Sequence, residues 1–528
     1  MVKFINKIFH KEMTVLSATV VIAGASLVSR LLGVLRNRIF ASMFGAGDEL
    51  DAYFAAFRIP DFLLNLLILG AFSAAFIPVF TGLISRRKKE HAFLVANSVL
   101  NLILTVMVVV CVIAAIFAPF LMFLIAPGFN PEKMELTVAL TRIMLLSPIL
   151  FGISTVISGI LNSYRRFFAY AIAPVMYNLG IIVGTLVFVP RIGIYGLAVG
   201  VLIGAFLHVL IQVPAVLGTG FRYRPKLELK NYYLWKIGKL MIPRAAGLAV
   251  TQVNLVVITV IASTLMAGSV AIFNLANDLQ NLPIGLFGIS FAIAIFPTLA
   301  RNASLKKFGE FVKNFSYTFR QIVFLIVPAA VGLFLLRAQV VRLVLGTGKF
   351  DWEDTYYTAA TLGLFCLGLI GQALVPLTVR AFYALQDTKT PVFISVFAVA
   401  LNIGLSLLFV NLMGVVGLAL AFSISSLFNL SLLYLMLHRR MKRLDDKAIL
   451  ITFLKSLTAS VMMGLVIYGV LHLVASVVDM QKVWGILTQA SIAGLAGFGV
   501  YVVIAWIWKC EEISAVKKFL KRIGGVKI

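Results

Sequence analysis

The sequence predicts an all-α polytopic membrane protein with about fourteen transmembrane helices, arranged as two six-helix lobes related by a parallel repeat plus two C-terminal helices. Three observations carry this prediction: the composition, a series of long apolar runs and an internal repeat. Of the 528 residues, 61% are hydrophobic and 12% are charged, and the mean hydropathy is +1.03. Soluble globular proteins contain about 45–50% apolar and about 25% charged residues. The lipid bilayer is therefore the solvent for most of the chain.

The apolar runs set the number of spans, because a spanning helix needs about 20 predominantly apolar residues. Gly, Pro and charge clusters separate runs at 13–44, 49–83, 92–126, 136–162, 168–189, 194–218, 238–264, 269–300, 314–337, 355–384, 390–411, 414–437, 448–475 and 483–508. Short cytoplasmic loops are enriched in Lys and Arg. With the N terminus inside, the inner segments hold about 31 of these residues and the outer segments about 6, so both termini are predicted to be cytoplasmic.

Three pairs of similar segments, about 218 to 224 positions apart, indicate an internal duplication. They are GAFSAAFIPVF at 70–80 with GISFAIAIFPTL at 288–299, GIYGLAVG at 193–200 with GVVGLALA at 414–421, and Asn178-Leu179-Gly180 with Asn402-Ile403-Gly404. Each half holds six helices, an even number, so both halves enter the membrane from the same side. Transporters with parallel repeats bind their substrate between the halves.

The repeat and the charge clusters give the predicted domain organisation. Its parts are a cytoplasmic interfacial segment (1–12), an N-lobe with helices 1–6 (13–218), a cytoplasmic linker (219–237), a C-lobe with helices 7–12 (238–440), helices 13–14 (441–509) and a basic cytoplasmic tail (510–528). Both tails alternate basic and apolar residues and are predicted to lie along the membrane surface, with plain solvated tails as the alternative. The formal net charge of +26 indicates anionic membrane lipids as partners rather than nucleic acid.

Charged residues inside the spans are the strongest functional signal, because a charge at the bilayer centre costs at least about 2.5–3.5 kcal/mol. The first span carries Arg30, Arg36 and Asn37, and the second carries Asp51 and Arg58. We predict that they line a cavity. The alternatives are an ion pair of Arg36 or Arg38 with Asp51 and extension of Arg38 to the interface. Extension to the interface is predicted for the isolated residues near span ends, Arg142, Arg320, Arg380 and Lys455.

The second half repeats this polarity. Asn274, Asn277, Asp278 and Asn281 follow the i, i+3, i+4, i+7 spacing of one helix face, and Arg244 lies in the seventh span. Two polar helices in each half predict one central hydrophilic cavity with a positive wall, with interhelical hydrogen bonding as the alternative for the stripe. Guanidinium groups suit phosphate through paired hydrogen bonds, so a cationic cavity indicates an anionic ligand.

Catalytic and metal-binding patterns are absent from the sequence. The five histidines are scattered, no His-Glu-x-x-His or glycine-rich nucleotide loop occurs, and the three cysteines are far apart. We therefore predict a transporter without catalytic residues, metal or cofactor.

The segments SRLLGVLRNRIFASMFGAGDELDAYFAAFRIPD and GAFSAAFIPVF resemble the MurJ (MviN) family of lipid II flippases, in the multidrug/oligosaccharidyl-lipid/polysaccharide (MOP) exporter superfamily. The resemblance continues through IPRAAGLAVTQVNLVVITVIAS at 242–263, FNLANDLQNLPIGLFGISFAIAIFPTL at 273–299 and AFYALQDTKTPV at 381–392, and covers most of residues 13–440.

We expect a monomer, and the resemblance implies a flippase of the bacterial inner membrane. It implies that lipid II, the undecaprenyl-diphosphate-linked peptidoglycan precursor, moves from the inner to the outer leaflet by alternating access for cell-wall synthesis. The headgroup would enter the central cavity, and helices 13–14 would form a groove for the lipid tail. Arg30 and Arg36 match the family's first-helix arginines, Asp51 matches its acidic residue in the second helix, and Arg58 falls where a basic residue is usual.

Several positions depart from the family pattern. Asn37 stands where an acidic residue is frequent, Leu64 and Asn65 stand where arginines are frequent, and Leu69 replaces a glutamate. Asn277 and Asp278 stand where many members have Asp-Arg. We expect Arg244 to substitute for a missing phosphate ligand.

These departures leave open a flippase for another polyprenyl-diphosphate oligosaccharide or a multidrug exporter of the same superfamily. A glycosyltransferase is less well supported, because the outer loops lack a suitable pair of catalytic carboxylates. A scaffold for cell-wall enzymes is also less well supported, because a scaffold would not require Arg30 and Arg36 inside the membrane. Membrane potential, Na⁺ or H⁺ coupling and downhill use of the product remain candidate energy sources. A carboxylate among amides can bind a cation or a proton, which makes Asp278 the candidate coupling residue.

Overall fold

The computed structural model describes residues 15–66, 72–442 and 444–513, without the side chains at 15–16, 18–20, 73–74 and 242–248. The predicted interfacial segment 1–12, nearly all of the basic tail 510–528, Leu69 and the side chain of Arg244 thus lie outside the described residues. Within the described ranges, the regular secondary structure is entirely helical. The chain divides into two compact units, residues 1–271 and 272–528.

The first unit contains the helices that carry the predicted arginines. They are α1 (Val15–Phe44), α2 (Asp48–Ala56), α3 (Arg58–Leu64), α4 (Phe72–Ser85), α5 (Lys89–Ile116), α6 (Ala118–Ile125), α7 (Pro131–Met144), α8 (Leu146–Ser163), α9 (Phe167–Ile192), α10 (Tyr195–Leu210), α11 (Val213–Leu217) and α12 (Tyr232–Ser263). The α9 helix packs along both α10 and α1, and α12 packs on α4. The contacts thus group α12, the predicted seventh span, with the first unit.

The helix α13 (Ser269–Pro283) begins in the first unit and continues into the second. After it come a π-helical turn (Ile284–Ile289), α14 (Ser290–Ser304), α15 (Phe308–Leu335), α16 (Arg337–Val344), α17 (Trp352–Ala384), α18 (Lys389–Met413), α19 (Val415–Met441), α20 (Asp446–Ala475) and α21 (Val483–Ile507). The π turn directly follows Pro283, whose missing N–H already interrupts the hydrogen-bond ladder of the helix.

Eleven segments of the described chain are long and apolar enough to cross a bilayer, and they correspond to predicted spans 3–6 and 8–14. The count of about fourteen therefore stays a prediction. The remaining three spans each include residues or side chains outside the described part of the chain. Three arginines lie in α1, and the second span is divided among α2, α3 and α4. Ala75–Ser85 of α4 and Ala249–Ser263 of α12 are shorter apolar segments.

The internal repeat is visible in the local backbone geometry. Gly193 and Gly414 both adopt φ +59° between successive helices, a conformation that favours glycine. In each turn the glycine N–H donates to a carbonyl four residues earlier, Val189 or Val410, at 2.9 Å. The two segments GIYGLAVG and GVVGLALA thus form the same turn, which supports the predicted duplication.

Helices α20 and α21 pack on α15 of the second unit. The hydroxyl of Tyr501 donates to the carbonyl of Phe324 at 2.6 Å, and Arg320 pairs with Glu511 at 3.1 Å and Glu512 at 3.5 Å. Arg320 was predicted to be an isolated charge that extends to the interface, and the prediction that it is isolated was wrong. The partners follow α21 in sequence, almost 200 residues away, so local reasoning could not reveal the pairing.

Candidate functional site: a polar face in each unit

Arg36 in α1 is the best-defined cationic group of the predicted site. Its Nε and Nη2 atoms donate to Oδ1 of Asn37 at 3.1 and 3.0 Å, and Nη1 donates to Oδ1 of Asn178 at 3.4 Å. The Phe40 ring centroid lies 5.7 Å from the guanidinium carbon. Arg36 is half-buried, and Arg30, which precedes it in the same helix, is exposed.

Asn178 in α9 orients the guanidinium, and sequence reasoning missed it as a site residue. Its Nδ2 donates to the Ser29 carbonyl at 3.2 Å, the Ser29 hydroxyl at 3.1 Å and the Pro174 carbonyl at 3.1 Å. These acceptors fix the amide so that Oδ1 is directed at Arg36. The match of Asn178-Leu179-Gly180 with Asn402-Ile403-Gly404 was the only signal of Asn178 in the sequence.

The amide oxygens of Asn37 and Asn178 orient the Arg36 guanidinium. An amide oxygen accepts hydrogen bonds but carries no net charge, whereas the acidic residue frequent in the family at the position of Asn37 would form an ion pair. Asn37 therefore adds an acceptor to this face of α1 without adding negative charge.

Asp51 is engaged in a buried polar cluster within the first unit. Its carboxylate accepts hydrogen bonds from Lys133 Nζ and from the backbone N–H groups of Gly268 and Ala271, each at 2.7 Å. Asp51 is 1% exposed and Lys133 is 9% exposed. Gly268 directly precedes α13 and Ala271 lies in its first turn, where a carboxylate satisfies free N–H groups. The predicted alternative pairing of Asp51 with Arg36 or Arg38 is wrong, because Lys133 is its cation.

Arg58 begins α3 and lies against α12. Its Nε donates to the hydroxyl of Thr259 at 2.7 Å, and that hydroxyl donates to the carbonyl of Leu255 at 2.9 Å. Thr259 was not among the predicted site residues, since an isolated threonine in an apolar run gives no sequence signal. Arg244 lies on the same helix α12, but its side chain is outside the described residues.

In the second unit, the predicted polar stripe occupies the less buried face of α13. Asn274, Asn277 and Asp278 are half-buried and Asn281 is exposed, while the residues between them are buried. Oδ1 of Asn277 accepts a hydrogen bond from Gln280 at 2.9 Å, and Oε1 of Gln280 accepts one from Gln372 at 2.9 Å. Interhelical hydrogen bonding thus occurs beside the stripe, through Gln280 and Gln372 of α17.

The two units have the same burial pattern in their corresponding helices. Residues 51–60 and 271–280 show the same sequence of buried and half-buried positions. In this register Arg58 corresponds to Asp278, and Phe54 and Phe57 correspond to Asn274 and Asn277. Each unit therefore has one less buried face of the same spacing, which holds Arg58 and Asp61 in the first unit and three asparagines with Asp278 in the second.

No three His, Cys, Asp or Glu side chains of the described residues come close enough together to hold a metal ion. The candidate site is a set of guanidinium, amide and carboxylate groups within apolar helices. Such groups can bind a charged solute by hydrogen bonds and ion pairs.

Comparisons with solved structures define the class of protein. An inward-facing multidrug resistance MATE transporter of the MOP superfamily superposes with a TM-score of 0.67 at 18% identity, over 78% of this chain and 94% of the transporter, which shows a shared fold. A structure titled "Lipid II flippase MurJ, inward closed conformation" gives a TM-score of 0.79 at 27% identity, over 94% of this chain and all of that chain. The protein is a multi-pass inner-membrane transporter with this fold, as predicted.

The family follows from the sequence comparisons. A family model described as lipid II flippase MurJ matches residues 40–487. A probable lipid II flippase MurJ of Vibrio cholerae is 32% identical over 500 residues, which cover 92% of this chain and 94% of the relative. A relative of the same description in Rhizobium tropici is 30% identical over 529 residues, with 97% of both chains covered. The chain belongs to the lipid II flippase MurJ family, a family of transporters rather than enzymes.

Proposed function

We propose that this chain translocates lipid II from the inner to the outer leaflet of the bacterial inner membrane by alternating access. One observation carries the proposal beyond family membership. Arg30 and Arg36 lie on a membrane helix, where the Arg36 guanidinium donates hydrogen bonds to the amide oxygens of Asn37 and Asn178. A diphosphate is the part of lipid II that such a group binds well, through charge-assisted hydrogen bonds.

The remaining predicted residues have distinct roles in this proposal. Arg36 and Arg30 bind the diphosphate, with Arg244 as a third cation, and Arg58 maintains the positive face of the first unit. The amides Asn274, Asn277 and Asn281 give the second unit a set of hydrogen-bond donors and acceptors, while Asp51 stabilises the fold of the first unit. The distribution of Lys and Arg supports a cytoplasmic location for both termini, which defines the end of each helix that faces the inner leaflet.

The polyprenyl tail is assigned to helices α20 and α21. Their large apolar side chains are among the most exposed in the chain: Leu465 is 62% exposed, Leu473 71% and Leu495 73%. An apolar surface of this kind is compatible with lipid chains, so a tail can lie along it while the headgroup occupies the polar site.

The function is tested in cells depleted of their own lipid II flippase. Expression of this chain should restore growth and the amount of lipid II that an outer-leaflet-specific hydrolase can cleave. Restored growth without outer-leaflet lipid II, or absence of both from a stably expressed chain, would refute the proposal. A control culture expressing the Arg36→Ala variant separates transport from a scaffolding effect, because a scaffold does not need this guanidinium.

We expect Asn178→Leu to weaken lipid II binding roughly three- to tenfold, because the guanidinium loses an acceptor and its fixed orientation. The effect should be non-additive with that of Arg36→Ala, since residues in one network share their interaction energy. Binding is measured for the two single variants and the double variant. Additive losses would show that Asn178 acts independently of Arg36 and would remove its positioning role.

Asp278 is proposed as the coupling residue, since it is the carboxylate within the polar stripe of α13. If Na⁺ or H⁺ drives transport through this group, Asp278→Asn should abolish any dependence of transport on pH or Na⁺. Transport is measured in vesicles across a series of pH and Na⁺ values. Asp61→Asn, a half-buried carboxylate of the first unit, is the matched control, and an unchanged ion dependence in the Asp278 variant would exclude this coupling site.

A further inference from the structure

A second candidate site lies entirely within the second unit, at the ends of three membrane helices. A cavity of about 560 Å³ is formed where α15 ends, α17 begins and α20 ends. Its polar lining residues include Arg337, Gln339, His472 and Gln489. None of the described lining residues is Asp or Glu. The distribution of basic residues assigns this end of the helices to the outer leaflet.

A chain of hydrogen bonds leaves one side-chain acceptor of Gln339, a residue that lines the cavity, without a partner. Nε2 of Gln489 donates to the carbonyl of Leu471 at 2.8 Å, so Oε1 of Gln489 must accept, and it does so from Nε2 of Gln339 at 3.2 Å. This order fixes the orientation of the Gln339 amide. Its Oε1 atom is buried and has no hydrogen-bond partner in the structure. An unsatisfied buried acceptor calls for a donor such as a hydroxyl group.

Arg337 supplies positive charge at the same cavity. Its Nη1 donates to the carbonyl of Phe334 at 2.6 Å, and its guanidinium carbon lies 4.8 Å from the Phe334 ring centroid. Both contacts hold the group at the end of α15 but provide no negative charge. Gly363 makes room for the arginine stem, since a Cβ atom there would lie 2.9 Å from Arg337 Cδ.

Aromatic side chains surround the opening. Trp352, Tyr356 and Tyr468 line the cavity and are 67%, 63% and 57% exposed. Trp and Tyr prefer the depth of lipid headgroups, where the ring is apolar and the polar edge is hydrated. Arg342 stacks at 5.2 Å over Trp352 and donates to the carbonyl of Met480 at 3.1 Å, which fixes this wall of the cavity.

We propose that this cavity binds the headgroup of an anionic glycerophospholipid that carries a free hydroxyl, as in phosphatidylglycerol. Arg337 binds the phosphodiester, the hydroxyl donates to Oε1 of Gln339, and the acyl chains remain in the adjacent bilayer. The volume suits a glycerol phosphate headgroup, while a disaccharide that carries a peptide is too large to be enclosed. The ligand is therefore a resident lipid at a site distinct from the polar faces of α1 and α13.

The test is a native mass spectrometry titration of the full-length protein with phosphatidylglycerol and with phosphatidylcholine of the same acyl chains. Phosphatidylglycerol should bind roughly tenfold more tightly, because the hydroxyl and the uncompensated phosphate charge are both recognised. Arg337→Gln should abolish that preference. Ala338→Phe, a change at an exposed lining position, should block the cavity and reduce phosphatidylglycerol binding by a similar factor.

Arg191→Gln is the matched control, since Arg191 is an exposed arginine that donates to a carbonyl of its own helix, Val187. Equal binding of the two lipids by the unmodified protein would overturn the proposal. This comparison needs no variant, so it tests the proposal even if a variant fails to fold. Equal effects of Arg337→Gln and Arg191→Gln would also contradict it. Displacement of phosphatidylglycerol by lipid II would assign the cavity to the transported substrate. Displacement of phosphatidylglycerol by inorganic phosphate to the same extent would show that the cavity binds free anions. Either result refutes the lipid assignment.

Discussion

Replacing Arg36 with alanine is expected to abolish lipid II transport while leaving the chain folded. The guanidinium is the most closely oriented cation of the polar face, with Asn37 and Asn178 as its amide partners. Loss of its paired hydrogen bonds to a diphosphate should weaken binding by about 10- to 100-fold, since each hydrogen bond to a charged group contributes about 1.5–3 kcal/mol. Arg36→Lys should recover only part of the loss, because an ammonium group cannot form the paired geometry.

The measurement is outer-leaflet lipid II in cells that depend on the variant for transport, together with lipid II binding by the purified protein. Arg38→Ala is the control within the same helix, since Arg38 lies on a different side of α1, about 200° from Arg36. Equal losses in the two variants would show that only the total charge of the helix matters. Normal transport by Arg36→Ala would remove Arg36 from the diphosphate site.

Replacing Asp51 with alanine is expected to destabilise the protein strongly. The carboxylate receives Lys133 Nζ and two backbone N–H groups, and both ionised partners are buried. Removal of one member leaves a buried ammonium without this partner, and breaking such a pair costs about 3–5 kcal/mol. The free energy of unfolding of the purified protein in detergent should fall by that amount, and the yield of monodisperse protein should fall with it.

Asp48→Ala is the matched control for this prediction. Asp48 also contacts Lys133, at 2.6 Å, but its side chain is 57% exposed. Exposed ion pairs contribute about 0.2–1 kcal/mol, so this variant should unfold almost like the unmodified protein. Similar destabilisation by the two substitutions would contradict the structural role of Asp51.

The fold class could be predicted from the sequence because a helix that spans a bilayer needs a long apolar segment, and such segments are visible in the sequence. Eleven spans, the helical class and the duplication follow from apolar runs and repeated motifs. The second span is divided into the short helices α2 and α3 before α4, and its apolar run did not predict this division.

The candidate site was only partly predictable. Arginines in an apolar helix are conspicuous, and so is the stripe from Asn274 to Asn281. Their partners are not: Asn178, Lys133 and Thr259 were not assigned, because each lies on a different helix from the group that it contacts. Sequence spacing reports the contacts within one helix, whereas contacts between helices depend on packing that no local pattern encodes.

The central claim is that this chain binds lipid II through the cationic face of α1. The most direct test is native mass spectrometry of the purified protein with lipid II, a second polyprenyl-diphosphate sugar and a cationic drug in competition, repeated for Arg36→Ala. We predict that lipid II is bound preferentially and that Arg36→Ala weakens its binding by about 10- to 100-fold. Preferential binding of another competitor, with lipid II unable to displace it, would contradict the claim and would show that substitutions such as Asn37 have changed the transported substrate.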